Sequence, residues 1–409
     1  MSEEDDSNGI GFACDFLDCV EEEMKPNLAR KATQKEIDSL SNFIGGFEKW
    51  SLLNNDCKKE IIKFLDYKSR FKLSICSKID KEIVQNVPIY VSRIEVKDSE
   101  KHQWSFSDEE FDNVWVMIQF EKDYNSGNRF ELVFSQSGED TEIQWLKYHK
   151  QKRPETKKVV WKSCNYYSKA VEFVEEWMKK SRFELEGICV EMSKYPMETS
   201  QIESLTNCKE VRIGSDCLDD FRWWLQKVPT KLSNLEMIPL NTQDEFIFSS
   251  EILALPQIMN TPKIYLWGKS GFTDDQLVNL KAKRMSFDCV NITDDGINRF
   301  LKNWVNGKGV DDFRQLLLWS TQVRDQFILT RDLQIRPWDE AFRYEARGFC
   351  DDFDRCCGRG LLFQISSFVD PFESLTLCIN DDRTSIYATG KKMTWNGETY
   401  TDYSIPSSY

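Results

Sequence analysis

The 409-residue chain is 40% hydrophobic, 13% aromatic and 30% charged, a globular composition with enough apolar mass for a sizeable core. Asp and Glu outnumber Lys and Arg by 68 to 54, and the formal net charge of -14 disfavours a general affinity for nucleic acid or anionic membrane. Thirteen cysteines lie scattered without a CxxC pair, which predicts reduced thiols and a cytoplasmic or nuclear protein.

The first residues, MSEEDDSNGI, lack the basic and apolar regions of a secretory signal. No apolar run approaches the ~18 residues that a membrane span needs. Residues 1–45 are expected to form an acidic tail, with a weak helix around Phe12–Val20. A second helix is expected from the capping-box pattern Thr33-Gln-Lys-Glu36 towards Gly45-Gly46. Within 46–90, the stretch NNDCKKEIIKFLDYKSRFKLSICSKIDKEIVQN holds three short amphipathic helices. Cys57, Ile61, Phe64 and Leu65 mark the first, and Asp66 caps a second carrying Phe71, Leu73, Ile75 and Cys76. Ser77-Lys-Ile-Asp80 opens a third, lined by Ile83, Val84 and Val87 and stopped by Pro88.

From 91 to 155 the period changes to that of strands. VSRIEVKD alternates, and VWVMIQFEKDYNSGNRFELVFSQS predicts two strands joined at Asn125-Ser-Gly127-Asn. TEIQWLKYH follows, so an antiparallel sheet is expected. KKVVWKS is a further strand, leading into a helix with Ala170, Phe173, Val174 and Trp177 on one face. Residues 156–322 then repeat a strand, loop and helix. IYLWGKSGFTDDQLVNL (from Ile264) parallels MSFDCVNITDDGINRFL (from Met285), and VRIGSDCLDDFRWWL (from Val211) is a looser copy. Spacing of about 20–30 residues belongs to leucine-rich and related repeats, which bury their apolar faces only by stacking. Residues 323–409 are expected to cap this array. They comprise a polar helical stretch (Phe327–Tyr344), a Gly- and Asp-rich loop around Cys350–Gly360, and edge strands with a turn at Asn396-Gly397. The fold class is thus α+β to α/β: a helical trio, an antiparallel entry sheet, an irregular strand–helix solenoid and a cap.

Little in the chain points to catalysis. Only two histidines occur, His102 and His149, and no His or Cys cluster has zinc spacing, so neither metal nor cofactor is expected. Cys350, Cys356 and Cys357 are read as ordinary thiols. Gly268-Lys-Ser270 lacks the upstream glycine of a phosphate loop and is read as a turn. Asp274-Asp275 and Asp294-Asp295 open helices of the repeat, where capping accounts for them better than acid–base work. Trp223, Trp224, Trp304 and Trp319 lie on periodic elements and are expected in the core. Trp267, ending its strand, is a candidate for an exposed contact anchor.

Leu53, Ile61, Leu65, Ser69-Arg70, Leu73, Cys76-Ser77 and Val84 form a pattern within Trp50–Pro88 that resembles an F-box. Ile292–Gly307, ITDDGINRFLKNWVNG, is similar to the F-box-associated domain of the large nematode F-box families. Two positions depart from the usual pattern: Asn54 replaces a proline, and Lys78-Ile79 lacks a tryptophan. The resemblance implies a non-enzymatic substrate-recognition adaptor of an SCF-type ubiquitin ligase. The F-box docks on a Skp-family adaptor and through it a cullin, while the repeat domain holds an unidentified protein target. Leu53, Ile61, Ile62, Leu65, Phe71, Leu73 and Cys76 are the expected adaptor-binding residues. The alternatives are a repeat scaffold with no ubiquitin role, and a helical trio that merely caps its own solenoid.

Overall fold

The computed structural model describes residues 50–98, 113–121, 129–149, 152–181, 184–240, 246–320 and 322–406. The expected helices at Phe12–Val20 and after Thr33, and the turn at 125–128, lie outside these residues. The chain divides into two units. One holds Met1–Val190 with Glu198–Cys208, the other Glu191–Met197 with Lys209–Tyr409.

The first unit opens with a 3₁₀ turn, Trp50–Leu52, and the three short helices α1 (Asn55–Lys63), α2 (Tyr67–Ser74) and α3 (Lys78–Gln85). Five strands follow: β1 (Val91–Asp98), β2 (Asn113–Gln119), β3 (Arg129–Ser137), β4 (Asp140–His149) and β5 (Lys152–Trp161). Each pairs antiparallel with the next. β6 (Leu185–Glu191) joins the free edge of β1. The register puts Ile94, Val96, Val114, Val116, Ile118, Leu132, Phe134 and Ile143 on one face, all buried. Helix α4 (Tyr166–Ser181) covers that face with Ala170, Phe173, Val174 and Trp177, the stripe its 3.6-residue period predicts.

In the second unit β7 (Glu210–Ser215), β8 (Asn234–Pro239), β10 (Lys263–Ser270), β11 (Arg284–Cys289) and β12 (Gln315–Trp319) are side by side and parallel. The two-residue β9 (Ile247–Phe248) pairs with the end of β10. Helices α5 (Leu218–Lys227), α6 (Ser250–Leu253), α7 (Pro256–Met259), α8 (Asp274–Asn279) and α9 (Asp294–Val305) alternate with the strands. Val211, Leu235, Met237, Ile264, Leu266, Met285, Phe287, Leu316 and Leu318 form the buried side of the sheet. The helices contribute Trp224, Leu225, Leu277, Ile297 and Leu301 to the same core.

Beyond β12 the pairing reverses. After α10 (Gln326–Leu329), β13 (Ile335–Pro337), α11 (Glu340–Glu345), α12 (Arg347–Cys357) and β14 (Leu361–Ser366) come β15 (Ser374–Ile379), β16 (Arg383–Trp395) and β17 (Glu398–Tyr403). β16 runs antiparallel between β12 and β15, and β14 and β13 extend the sheet. Mixed α and β architecture with extensive antiparallel pairing is therefore what the chain adopts.

Four local expectations are corrected. The stretch Phe327–Tyr344 is two short helices separated by β13, because Pro337 ends one element and Asp339 caps the next. Cys350–Gly360 is mostly the helix α12, whose Phe349, Cys350 and Phe353 are buried against Trp338, Phe342, Leu362 and Tyr387. It stops at Gly358, where φ is 84°. β15 is no edge strand: all six residues are buried between β14 and β16. Gly268–Ser270 ends strand β10 instead of forming a turn, and any Cβ on Gly268 would lie 2.6 Å from Pro239 at the end of β8.

Candidate functional site: the apolar face of the helical trio

Each helix of the trio is started by a side chain. Asn54 accepts from the Cys57 amide (2.8 Å), Asp66 from that of Ser69 (2.8 Å) and Ser77 from that of Asp80 (3.0 Å). Asn54 thus turns a departure from the expected proline into an N-cap. The interior is small: Ile62, Leu73, Ile83 and Val87, with Trp50, Leu65 and Val84 packed against them. A polar network binds α1 to α3. Asp80 accepts from Lys58 Nζ (3.2 Å), Trp50 Nε1 (3.0 Å) and the Ser77 hydroxyl (2.8 Å). Arg70 closes the other end, donating to the carbonyls of Leu65 (3.0 Å), Val87 (3.1 Å) and Pro88 (2.8 Å). Burial pulls its guanidinium pKa down.

One side of the trio is spent within its own unit. The Tyr67 ring stacks on Phe120 at 5.1 Å and lies 5.2 Å from Trp177, in a cluster that includes Phe130 and Phe173. Other apolar side chains of the trio are exposed. Phe64 is 88% exposed, Leu52 77%, Ile79 58% and Ile61 38%. Four exposed apolar side chains on a helical cluster this small are a candidate interaction surface.

The seven residues expected to bind an adaptor therefore separate. Ile62, Leu73 and Phe71 are buried in this chain and are not available as surface. Leu53, Leu65 and Cys76 are half-buried, with the Cys76 thiol donating to the Lys72 carbonyl. Only Ile61 is presented outright. Sequence reasoning missed Leu52, Phe64 and Ile79. The signal for the first two was the apolar doublets Leu52-Leu53, Ile61-Ile62 and Phe64-Leu65. Neighbours on a helix point about 100° apart, so a trio with one thin core can bury only one member of each. In all three doublets the first member faces solvent.

Two family profiles match the chain: one described as F-box domain over residues 50–92, and one described as F-box associated over 254–315. The chain is also 44% identical over 388 residues to an uncharacterized F-box protein of Caenorhabditis elegans, covering 95% of this chain and all of that one. The chain belongs to the F-box protein family. No solved structure matches it. F-box domains in general bind a Skp-family adaptor and through it a cullin, and proteins of this kind are in general adaptors, not enzymes. Against that background, the bare apolar residues all belong to the F-box itself.

The F-box-associated segment contains both Thr-Asp-Asp turns, and the geometry gives each aspartate a structural task. Thr273 and Thr293 cap α8 and α9. Asp274 accepts from the amide (2.9 Å) and hydroxyl (2.6 Å) of Thr293, the cap of the next helix. Asp294 does the same one helix on, accepting from the amide of Asp325 (2.9 Å), the cap of α10, and from Arg324 (3.2 Å). Asp275 pairs with Arg299 (2.7 Å) in α9, and Asp295 with Arg331 (2.6 Å) in the turn after α10. The paired carboxylates are clamps between successive strand–helix segments of the second unit. The Cys350 thiol is pushed up to about 11 by burial, and Cys357 is raised for the same reason, opposite to what a nucleophile needs. Among the described residues no group of His, Cys, Asp or Glu is placed to hold a metal, and no helix is long and apolar enough to cross a membrane.

Proposed function

We propose that this protein is a non-enzymatic substrate-recognition subunit of an SCF-type cullin ubiquitin ligase, acting in the cytoplasm or nucleus. The F-box, taken as 46–90, docks on a Skp-family adaptor through Leu52, Ile61, Phe64 and Ile79, with Leu53, Leu65 and Cys76 at the margin. The acidic 1–45 precedes it and 91–155 links it to the target-binding part. The strand–helix units of 156–322 act as a leucine-rich-repeat-like array that holds a protein target, closed by 323–409. The observation carrying this reading is the exposure of four apolar side chains on an F-box, a kind of domain that in general binds a Skp-family adaptor.

The test is capture of a purified Skp-family adaptor by the full chain. Phe64→Asp and Ile61→Asp should each weaken capture by about tenfold or more without lowering the melting temperature, since both side chains already lie in water. Leu73→Asp should abolish folding instead, because Leu73 is interior. Unchanged capture by the Phe64→Asp, Ile61→Asp double variant rejects the docking face. Absence of capture by the wild-type chain leaves a protein-binding scaffold with no link to ubiquitin.

A further inference from the structure

Outside the trio, the two most exposed tryptophans among the described residues are Trp395, at 71%, and Trp267, at 68%. The Trp267 indole is held, donating from Nε1 to Glu236 (2.7 Å). Trp395 stands on an unsupported ribbon. The β12 ladder with β16 ends at Tyr387 and that of β15 at Gly390, so from Lys391 onward β16 pairs with β17 alone. Every residue from Lys391 to Tyr400 is exposed. Two contacts fasten the base: Lys392 Nζ with Asp370 (3.0 Å), and the Thr401 hydroxyl donating to the Phe372 carbonyl (3.0 Å). Beyond them a single side-chain hydrogen bond remains among the described residues, between the Thr394 and Thr399 hydroxyls (3.4 Å), and it only links the two strands to each other. A two-stranded ribbon without a covered face is marginal in water, so its tip opens far more readily than the sheet behind it.

The tip is Asn396-Gly397, with φ of 50° and 83°, the type I′ pair that a two-residue hairpin loop needs. It also sets two reactive groups side by side. Neither the Asn396 side-chain amide nor the Gly397 backbone amide has a hydrogen-bond partner among the described residues. The space around Gly397 is open, with nothing within 4 Å of a Cβ position. Asn306-Gly307 is the same dipeptide in the opposite state, although both of its residues are exposed as well. There Asn306 Nδ2 donates to the Lys302 carbonyl (2.7 Å) and the Gly307 amide to that of Trp304 (2.9 Å), closing the end of α9. The third such dipeptide, Asn8-Gly9, lies outside the described residues.

We propose that Asn396 is a site of spontaneous deamidation that remodels this hairpin. Once the tip opens, the Gly397 nitrogen gives its proton to solvent base and bonds to the side-chain carbonyl carbon of Asn396. The bond from that carbon to the side-chain nitrogen breaks, ammonia leaves, and a cyclic imide remains. Water then opens the imide at one carbonyl or the other, leaving an aspartyl or an isoaspartyl residue at position 396. Water enters, ammonia leaves, and nothing is oxidised or reduced. The isoaspartyl product threads the main chain through a side-chain carbon, which lengthens a turn of only two residues, and it places a new carboxylate near Glu398. Trp395 is then no longer brought opposite Glu398, and the ribbon frays back to its fastenings at Lys392 and Thr401. The reaction needs neither adaptor nor target and is independent of the adaptor reading.

The test follows the full chain by peptide mapping and mass spectrometry during long incubation in mildly alkaline buffer. The peptide holding Asn396 should gain the mass difference of an amide turned acid and resolve into aspartyl and isoaspartyl isomers. It should do so about tenfold or more faster than the peptide holding Asn306, whose reaction waits on opening of the α9 terminus. In denaturant the two rates should converge, because the hydrogen bonds that protect Asn306 are gone. Hydrogen exchange across 393–400 should quicken in the converted chain and stay unchanged across β15. Freshly made Asn396→Asp, which adds the charge without the extra main-chain carbon, should exchange like wild type. An Asn396 that stays intact in the folded chain, reacts no faster than Asn306, or keeps its lead in denaturant overturns the inference. Unaltered exchange after conversion, or equal fraying in fresh Asn396→Asp, overturns the remodelling.

Discussion

Asp80 is the carboxylate on which the trio's geometry hangs, since Trp50, Lys58 and Ser77 all donate to it. The Lys58–Asp80 pair is nearly closed to solvent, at 8% and 9% side-chain exposure. Removing one partner strands the other charge, so Asp80→Ala should cost about 3–5 kcal/mol by denaturant unfolding. A Lys58→Met, Asp80→Leu double variant should recover much of that loss, because no charge is then left uncompensated. Asp220 is a different case. Burial raises its pKa, although the Ser215 hydroxyl donates to it at 2.6 Å. A carboxylate whose pKa is higher in the folded state binds protons more tightly there, so its contribution to stability falls as pH rises from the unfolded value through the folded one. Asp220→Asn keeps the shape and the acceptor without the charge. Its melting temperature should exceed wild type at pH 7, with the difference closing below about pH 4, where the unfolded carboxylate is itself protonated. A deficit at pH 7 would show that the Ser215 contact outweighs the burial.

At the scale of elements, the repeated Thr-Asp-Asp turn both starts a helix and ties it to its neighbour, which explains a glycine. Gly296, in the first turn of α9, faces the Asp274 carboxylate so closely that a Cβ would overlap it. Gly296→Ala should therefore lower the melting temperature by displacing the clamp on Thr293. Gly348, in α12, has nothing within 4 Å of a Cβ position, so Gly348→Ala should gain about 0.5–1 kcal/mol from chain entropy alone. The same two glycines show what was legible. TDDGINRFLKNWV advertised its helix through a threonine cap, two acidic residues at the positive end and an apolar stripe. RGFCDDFDRCCGRG concealed one, because its glycines and aspartates have loop composition while its core-facing signal is only Phe349, Cys350 and Phe353. The misreading spread. Without α12 to cover them and β14 to pair with, Ser374–Ile379 looked like an edge, although the strand is buried along its whole length. In the trio the elements were legible and the faces were not, because adjacent apolar residues such as Ile61 and Ile62 satisfy the same pattern whichever points inward. Trp267 was legible for the opposite reason: it ends an apolar run that the sheet had no means of burying twice.

For the molecule as a whole, the F-box is legible as a sequence module but is physically continuous with the first unit. About forty residues of helix cannot assemble much of a core, and the interior found here is four side chains with three partners. The remaining apolar surface is divided between two uses. Leu52, Ile61, Phe64 and Ile79 are open, whereas Tyr67 is lodged among Phe120, Phe130 and Trp177, outside the F-box sequence. An adaptor can cover the first group and does nothing for the second. Residues 46–90 expressed alone should consequently give a broad, weakly cooperative thermal transition, sharpened only in part by added adaptor. Within the full chain, Trp177→Ala removes a ring that also meets Phe173, and should cost about 3–5 kcal/mol. It should at the same time loosen the trio, read as faster hydrogen exchange across α2 with exchange across α9 unchanged. If the 46–90 fragment melts as sharply as the full chain, the aromatic cluster is dispensable to the F-box and the trio stands on its core of Ile62, Leu73, Ile83 and Val87 alone.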